Sequence, residues 1–381
     1  MPSLSSTAID FLYLSEEDMI SAGVTDMAGC VNAMQETFAL LHSGDYRMAG
    51  PNGNSHGAGL NFPDDPPFPA MPKNGPDRRF LAMPAYLGGS FGTSGCKWYG
   101  SNAENRNKGL PRSILMFMLN DSDTGMPLAL MSANLLSAYR TGAVPGLGAR
   151  FLARPDARVV GIVGPGVMAR TSLSAFAAAC PQLDGVKVKG RSRASTDAFT
   201  AWVAAEFPQL TMVTEVGTIE EAVRDSDIVT FCTTGMRGDP SQYPTVVRDW
   251  VKPGAYLSMP STCNIDEGMQ KPDVRKVADN VKMYEAWARD AGYPAHKRNS
   301  LLGGKFMDMI HDGVMAREDL VDLGAVVAGE AAGRRHDDDV VIMTVGGMPV
   351  EDVAWGTVVY RNALAAGIGT KLNLWERPAL A

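Results

Sequence analysis

Between residues 158 and 259 the hydrophobic positions come in short runs, and each run is followed by a segment whose apolar residues return every third or fourth place. Runs of the first kind suit strands buried on both faces, and segments of the second kind suit amphipathic helices. The pattern predicts strands at 158–163, 186–190, 211–213, 227–233 and 255–259, with helices at 167–179, 194–206 and 218–224. Alternation at this spacing builds a parallel, doubly wound sheet with right-handed crossovers.

Upstream the pattern differs. "SEEDMISAGVTDMAGCVNAMQETFALLHSG" (15–44) reads as one or two amphipathic helices, with Ser15 and Asp18 spaced as a capping box and Gly44 as a stop. Residues 50–78 are rich in Pro, Gly, Asn and Asp and read as a long loop. The pieces "FLAMPAYL", "TSGCKWYGS", "SILMFMLND" and "PLALMSA" alternate like strands of an antiparallel sheet, with "DSDTG" as a hairpin turn. A helix over "LLSAYRTGAVPGLGARFLAR" leads into the alternating region, and "EDVAWGTVVYRNALAAGIGTKLNL" predicts a helix ending near Gly367 that packs back on the first domain. The expected fold class is α/β: a Rossmann doubly wound sheet over 139–325 and a discontinuous α+β domain made of 1–138 and 326–381.

The first strand of the alternating region runs into "VVGIVGPGVMART" (159–171). Gly164 makes the turn, Gly166 leaves room for a pyrophosphate at the backbone, and Ala169 lets the helix sit close to the strand. Val167 and Met168 open the helix, whose N–H groups and dipole face the phosphates, and Arg170 adds positive charge. At the end of the second strand stand Gly190, Arg191, Ser192 and Arg193, with no acid to accept a ribose hydroxyl. Guanidinium groups there suit a 2′-phosphate, so NADP(H) is preferred and NAD(H) remains possible. Thr233 and Thr234 close a parallel strand at the expected cofactor edge.

Composition narrows the class. The 381 residues carry a net charge of −7, which disfavours nucleic acid and anionic membranes as partners. The start "MPSLSSTAIDFLYL" has no basic segment and no long apolar core, and no stretch approaches a membrane span. Five scattered cysteines without a CxxC fit reduced thiols in a cytoplasm and argue against structural zinc. His42, His296, His311 and His336 form no metal-ligand pattern, and no metal is expected. Cys232 reads as core, and Trp98 and Tyr99 either line a pocket or pack in a sheet.

Together, "SGCKWYGS", "LSAYRTGAVPGLGARFLARPDARV", the glycine turn and "EDVAWGTVVYRNALAAGIGT" resemble the ornithine cyclodeaminase/mu-crystallin family, over roughly 80–260 and again 320–375. The resemblance implies a homodimer of subunits with an NAD(P)-binding Rossmann domain and a substrate domain that dimerises. It implies action at the α-carbon of amino acids or their imines. The family includes cyclodeaminases, alanine dehydrogenases, ketimine reductases and amine-forming dehydrogenases; one branch is named as a tyramine oxidase subunit. Lys97 matches the family lysine, and Arg140 with Thr141 matches the pair that grips the substrate carboxylate. Guanidinium meets carboxylate with two parallel hydrogen bonds, which agrees with that role.

Two departures stand out. Cys263 falls where cyclodeaminases carry a catalytic Asp, with Asp266 three residues on, and the family's early substrate arginine has no clear match near "DYRMAGPNGNSHGAG". The expected function is an NADP(H)-preferring oxidoreductase on the C–N bond of a small amino acid or imine. Lys97, His56 and Asp266 are the candidate proton donors. A cyclodeaminase-type lyase with recycled NAD and a non-catalytic partner subunit are the alternatives.

Overall fold

The computed structural model describes residues 7–233 and 239–380. The chain divides into two units, one of 1–26, 44–137 and 348–381 and the other of 27–43 and 138–347.

The first unit is built on an eight-stranded sheet. Its order is Thr370–Trp375, Ile9–Leu14, Pro127–Ser132, Ser113–Asp121, Thr93–Ser101, Arg79–Leu87 and Tyr46–Met48, with Ala58–Asn61 also on Arg79–Leu87. All pairs are antiparallel except Ile9–Leu14 with Pro127–Ser132. Alternation sorts the side chains of Thr93–Ser101 onto two faces: Lys97 is 1% exposed and Trp98 47%. The buried helix Pro349–Ala366, started by a proline and stopped by Gly367, packs on the three central strands. It is anchored by a Thr93–Thr357 hydroxyl bond of 2.7 Å and by the Trp355 indole N–H donated to Val24 O. The Ser15–Asp18 capping box is present at the start of the first helix.

The second unit is a parallel sheet of eight strands. Its order is Met212–Glu215, Gly185–Lys189, Val159–Val163, Ile228–Phe231, Tyr256–Met259, Val340–Thr344, Val274–Ala278 and Leu320–Asp322. Strand order reverses between Val159–Val163 and Ile228–Phe231, the switch point at which open α/β sheets bind ligands. The helix Met27–Ser43 packs on Val167–Ala179 and Leu323–Val327.

Boundaries differ from the expectation in two ways. Residues 27–43 join the second unit, because their apolar stripe finds helices there rather than the antiparallel sheet. The return to the first unit comes at 348 instead of 326, because Val340–Thr344 is an interior strand of the parallel sheet. The 50–78 loop contains the strand Ala58–Asn61, and a strand, Thr370–Trp375, follows the last helix.

Candidate active site

Gly164 has φ +93°, and a Cβ there would lie 2.9 Å from the Cys232 carbonyl group. Both facts require glycine at the turn. Its N–H donates to Lys189 O, fixing the turn against the second strand. Gly166 is the N-cap of Val167–Ala179, with no side-chain capping bond, and a Cβ there would meet nothing within 4 Å. Val167 is 68% exposed, whereas Ala169 is fully buried against the sheet. An uncapped helix N-terminus, an open approach to the backbone and a small residue at the helix–strand contact fit a dinucleotide pyrophosphate. Arg170 does not join this cradle: its guanidinium lies 5.1 Å over the Trp202 ring.

Beyond the second strand, Arg191 is exposed and Ser192 caps the helix Arg193–Glu206 through Ser195 N–H. The Arg193 side chain is 83% exposed and only loosely paired with Asp197, at 3.6 Å. Both arginines are therefore exposed to water just beyond the second strand. Thr233 donates to Thr262 O at 3.3 Å, and Ser261 donates to Phe231 O at 2.7 Å, so the two strand ends are laced together. Thr234 lies outside the described residues.

Cys263 is fully buried and burial pushes its thiol up to about 12; Cys232 is pushed to about 11 for the same reason. Neither thiol exchanges protons near neutrality. The neighbouring carboxylate, Asp266, serves as a helix N-cap, accepting from Met269 N–H at 2.9 Å and Arg248 N–H at 3.2 Å.

Arg140 is 4% exposed and lies against the backbone that follows the strand Val340–Thr344. Gly347 there has φ +69°, and a Cβ would sit 2.5 Å from Arg140 Nη1. That backbone is held by Asp279, which accepts from Gly346 N–H at 2.6 Å and Gly347 N–H at 3.3 Å. Asp279 is buried, and desolvation pushes it up to about 6 against the pull of these donors and of the Tyr284 hydroxyl. Asp279 escaped the sequence reading because an aspartate at the end of a strand has no local signature.

Lys97 donates to Asp352 Oδ2 at 2.7 Å and to Ser137 Oγ at 3.1 Å. The Lys97 and Asp352 side chains are 1% and 0% exposed, so the ammonium is buried with its charge balanced. Ser137 lies on the helix Asn134–Leu152, one turn before Arg140 and Thr141. His56 is half-buried in the segment that leads into Ala58–Asn61. Register places Ala58 opposite Ala82 on the strand that pairs Met83 with Lys97. Trp98 points to the opposite face and stacks on Phe80, with ring centroids 5.6 Å apart, which removes it from the pocket; Tyr99 stays on the Lys97 side. His296 is buried, with Nδ1 2.9 Å from Leu301 O, and among the described residues no acidic, His or Cys cluster could hold a metal.

A parallel sheet with a glycine turn at its switch point, joined to an antiparallel unit with a buried lysine, defines a two-unit α/β protein of the dinucleotide-binding class. The profile of the ornithine cyclodeaminase/mu-crystallin family matches residues 23–367, and the chain belongs to that family. It is 27% identical over 369 residues to the N-((2S)-2-amino-2-carboxyethyl)-L-glutamate dehydrogenase of Staphylococcus aureus, covering 96% of this chain and 99% of that protein. It is 28% identical to the alanine dehydrogenase of Archaeoglobus fulgidus, covering 97% and 100%. The solved archaeal alanine dehydrogenase dimer with bound NAD superposes with a TM-score of 0.75 at 27% identity, covering 96% of this chain and all of that one.

Proposed function

We propose that this chain is an NAD(P)-dependent oxidoreductase acting on the C–N bond at the α-carbon of a small amino acid, or of the imine formed from an oxo acid and an amine. The observation that carries the reading is the uncapped helix N-terminus behind the Gly164–Gly166 turn, at the switch point of the parallel sheet. The relatives named above are dehydrogenases of amino acids, which supports the same reaction class.

When bound, the dinucleotide supplies or accepts the hydride. Gly164, Gly166, Val167, Met168 and Ala169 hold its pyrophosphate, and Thr233 meets the nicotinamide side. Arg191, Ser192 and Arg193 take a 2′-phosphate, so NADP(H) is preferred to NAD(H). Arg140 anchors the substrate carboxylate with Thr141 beside it. Lys97, held by Asp352 and Ser137, binds the substrate and moves the proton. His56 is the second candidate for that step, and Asp266 is committed to its helix cap. Against a ring-closing lyase stands the inert thiol of Cys263 where the catalytic Asp is expected. Such a lyase would release ammonia with no net change in absorbance at 340 nm.

A second copy of the chain covers the outer face of the antiparallel sheet. Trp98, Ile114, Met116 and Met118 are 42–50% exposed there, an apolar area of the kind that marks an interface. The free, scattered cysteines suit a reducing cytoplasm, and no helix among the described residues is long and apolar enough to cross a membrane.

The deciding experiment is Arg140→Ala. Two charge-assisted hydrogen bonds at roughly 1.5–3 kcal/mol each predict at least about a hundredfold loss of kcat/KM for a carboxylate substrate, with cofactor affinity kept. Unchanged turnover would remove Arg140 from the site. Cofactor binding without turnover across a panel of amino acids and imines would favour a non-catalytic partner subunit. For cofactor choice, Arg191→Ala with Arg193→Ala is expected to weaken NADPH binding by tenfold or more while sparing NADH, measured by fluorescence titration.

A further inference from the structure

On the inner face of the antiparallel sheet, Lys97 is followed by Tyr99 and then Ser101, with Arg79 opposite Ser101. The Lys97 ammonium is 5.9 Å from the Tyr99 ring centre, and the Tyr99 hydroxyl is 3.4 Å from Arg79 Nη2. Arg79 is only partly satisfied. Its Nε is buried with no acceptor, and Nη2 stands a long 3.4 Å from Asp77 Oδ1. Asp77 is already engaged by Ser101 Oγ at 2.5 Å and by Arg112 Nη1 at 3.2 Å. Two guanidinium groups around one carboxylate leave a net positive charge. The buried Nε–H without an acceptor shows that Asp77 and Tyr99 do not satisfy this guanidinium, and its exposed part is left to meet an anion.

The Arg79 side chain is 22% exposed, and Tyr99 is half-buried, so both remain reachable beside the buried Lys97. We infer that Arg79 and the Tyr99 hydroxyl recognise a second acidic group on the substrate, whose class is therefore an amino diacid or the imine of an oxo diacid. This rests on the reading above, in which Lys97 faces the reacting end of an α-amino acid or imine. Arg79 on the far side of Tyr99 then meets the end of a short side chain. A planar, always charged fork is the group suited to a carboxylate there.

The test compares L-aspartate and L-glutamate with L-alanine and L-norvaline, and oxaloacetate and 2-oxoglutarate with pyruvate in the presence of ammonium. The diacids are expected to be favoured at least tenfold in kcat/KM. Arg79→Gln is expected to reduce diacid turnover at least tenfold more than alanine turnover, with Arg79→Lys intermediate and Tyr99→Phe a few-fold down. Preference for the neutral side chains, or an equal loss on both classes in Arg79→Gln, would overturn the inference and leave the oxidoreductase reading standing. No turnover of any substrate would instead count against that reading. Thermal shifts of the cofactor-loaded protein with succinate and with butyrate then decide this inference alone. It holds if succinate stabilises the wild type more than butyrate and Arg79→Gln erases the difference. It falls if the two acids act alike in the wild type.

Discussion

Lys97 and Asp352 are 255 residues apart in sequence and 2.7 Å apart in the fold. A lysine on a strand that reads "SGCKWYGS" was legible as a candidate from its place in the motif. Its counter-ion was not, because nothing local to "EDVAWG" says which strand that helix will cover. The pair sets a clear expectation at this scale. Removing one partner of a buried ion pair leaves an uncompensated charge, at about 3–5 kcal/mol, whereas apolar replacement of both is often neutral. Asp352→Asn is therefore expected to lower stability by several kcal/mol in urea unfolding. The double change Lys97→Met with Asp352→Leu should recover much of that loss while abolishing turnover. A single variant as stable as wild type would show that the ammonium finds another partner. The same scale explains the missing acid at 263: a thiol raised to about 12 by burial is packing, as its neighbours are.

Between residue and domain, the segments that hold the site are strand ends. The Gly164 turn was legible because a strand, two glycines and a helix start lie within a dozen residues. The Gly346–Gly347 backbone against Arg140 was not, since its holder, Asp279, comes from another strand. Asp279 also carries a pH signature. Its folded value, raised to about 6 from 3.8, means the folded chain keeps a proton that the unfolded chain has released between those limits. The group's contribution to stability is thus largest below about pH 4 and is lost as pH rises through 6. A shift of about two units corresponds to roughly 3 kcal/mol. Following Tm from pH 4 to 7 in wild type and Asp279→Asn, the wild-type advantage should shrink as pH rises. A constant difference would mean the carboxyl does not titrate in this window.

For the whole molecule, exposure is the informative quantity. Five strands of the parallel sheet were legible from alternation with helices. Val274–Ala278, Leu320–Asp322 and Val340–Thr344 were not: three helices stand between the first two and one short helix, Leu323–Val327, between the last two, so the one-strand, one-helix rhythm is lost. In the other unit the sequence left Trp98 open between a pocket and a packed sheet, and it is the register of a nine-residue strand that turns it outward beside Phe80. The apolar outer face predicts self-association. Met116→Glu is expected to convert a dimer to a monomer in light scattering after gel filtration, with the fold retained by circular dichroism. A wild-type monomer at micromolar concentration would remove that face as the interface.

What the chain determined unaided is whatever depends on neighbours a few places away: the period of apolar residues, the glycine turn, the capping box at Ser15 and Asp18, and the absence of an acid after the second strand. Tertiary structure alone decided the pairing of Lys97 with Asp352, the grip of Asp279 on the backbone beside Arg140, and the strand Thr370–Trp375 laid along Ile9–Leu14. Local periodicity and turn chemistry act over one or two turns of backbone. Charge pairing and edge-strand docking are settled by which surfaces meet when distant segments are packed, and no short stretch of sequence carries that information.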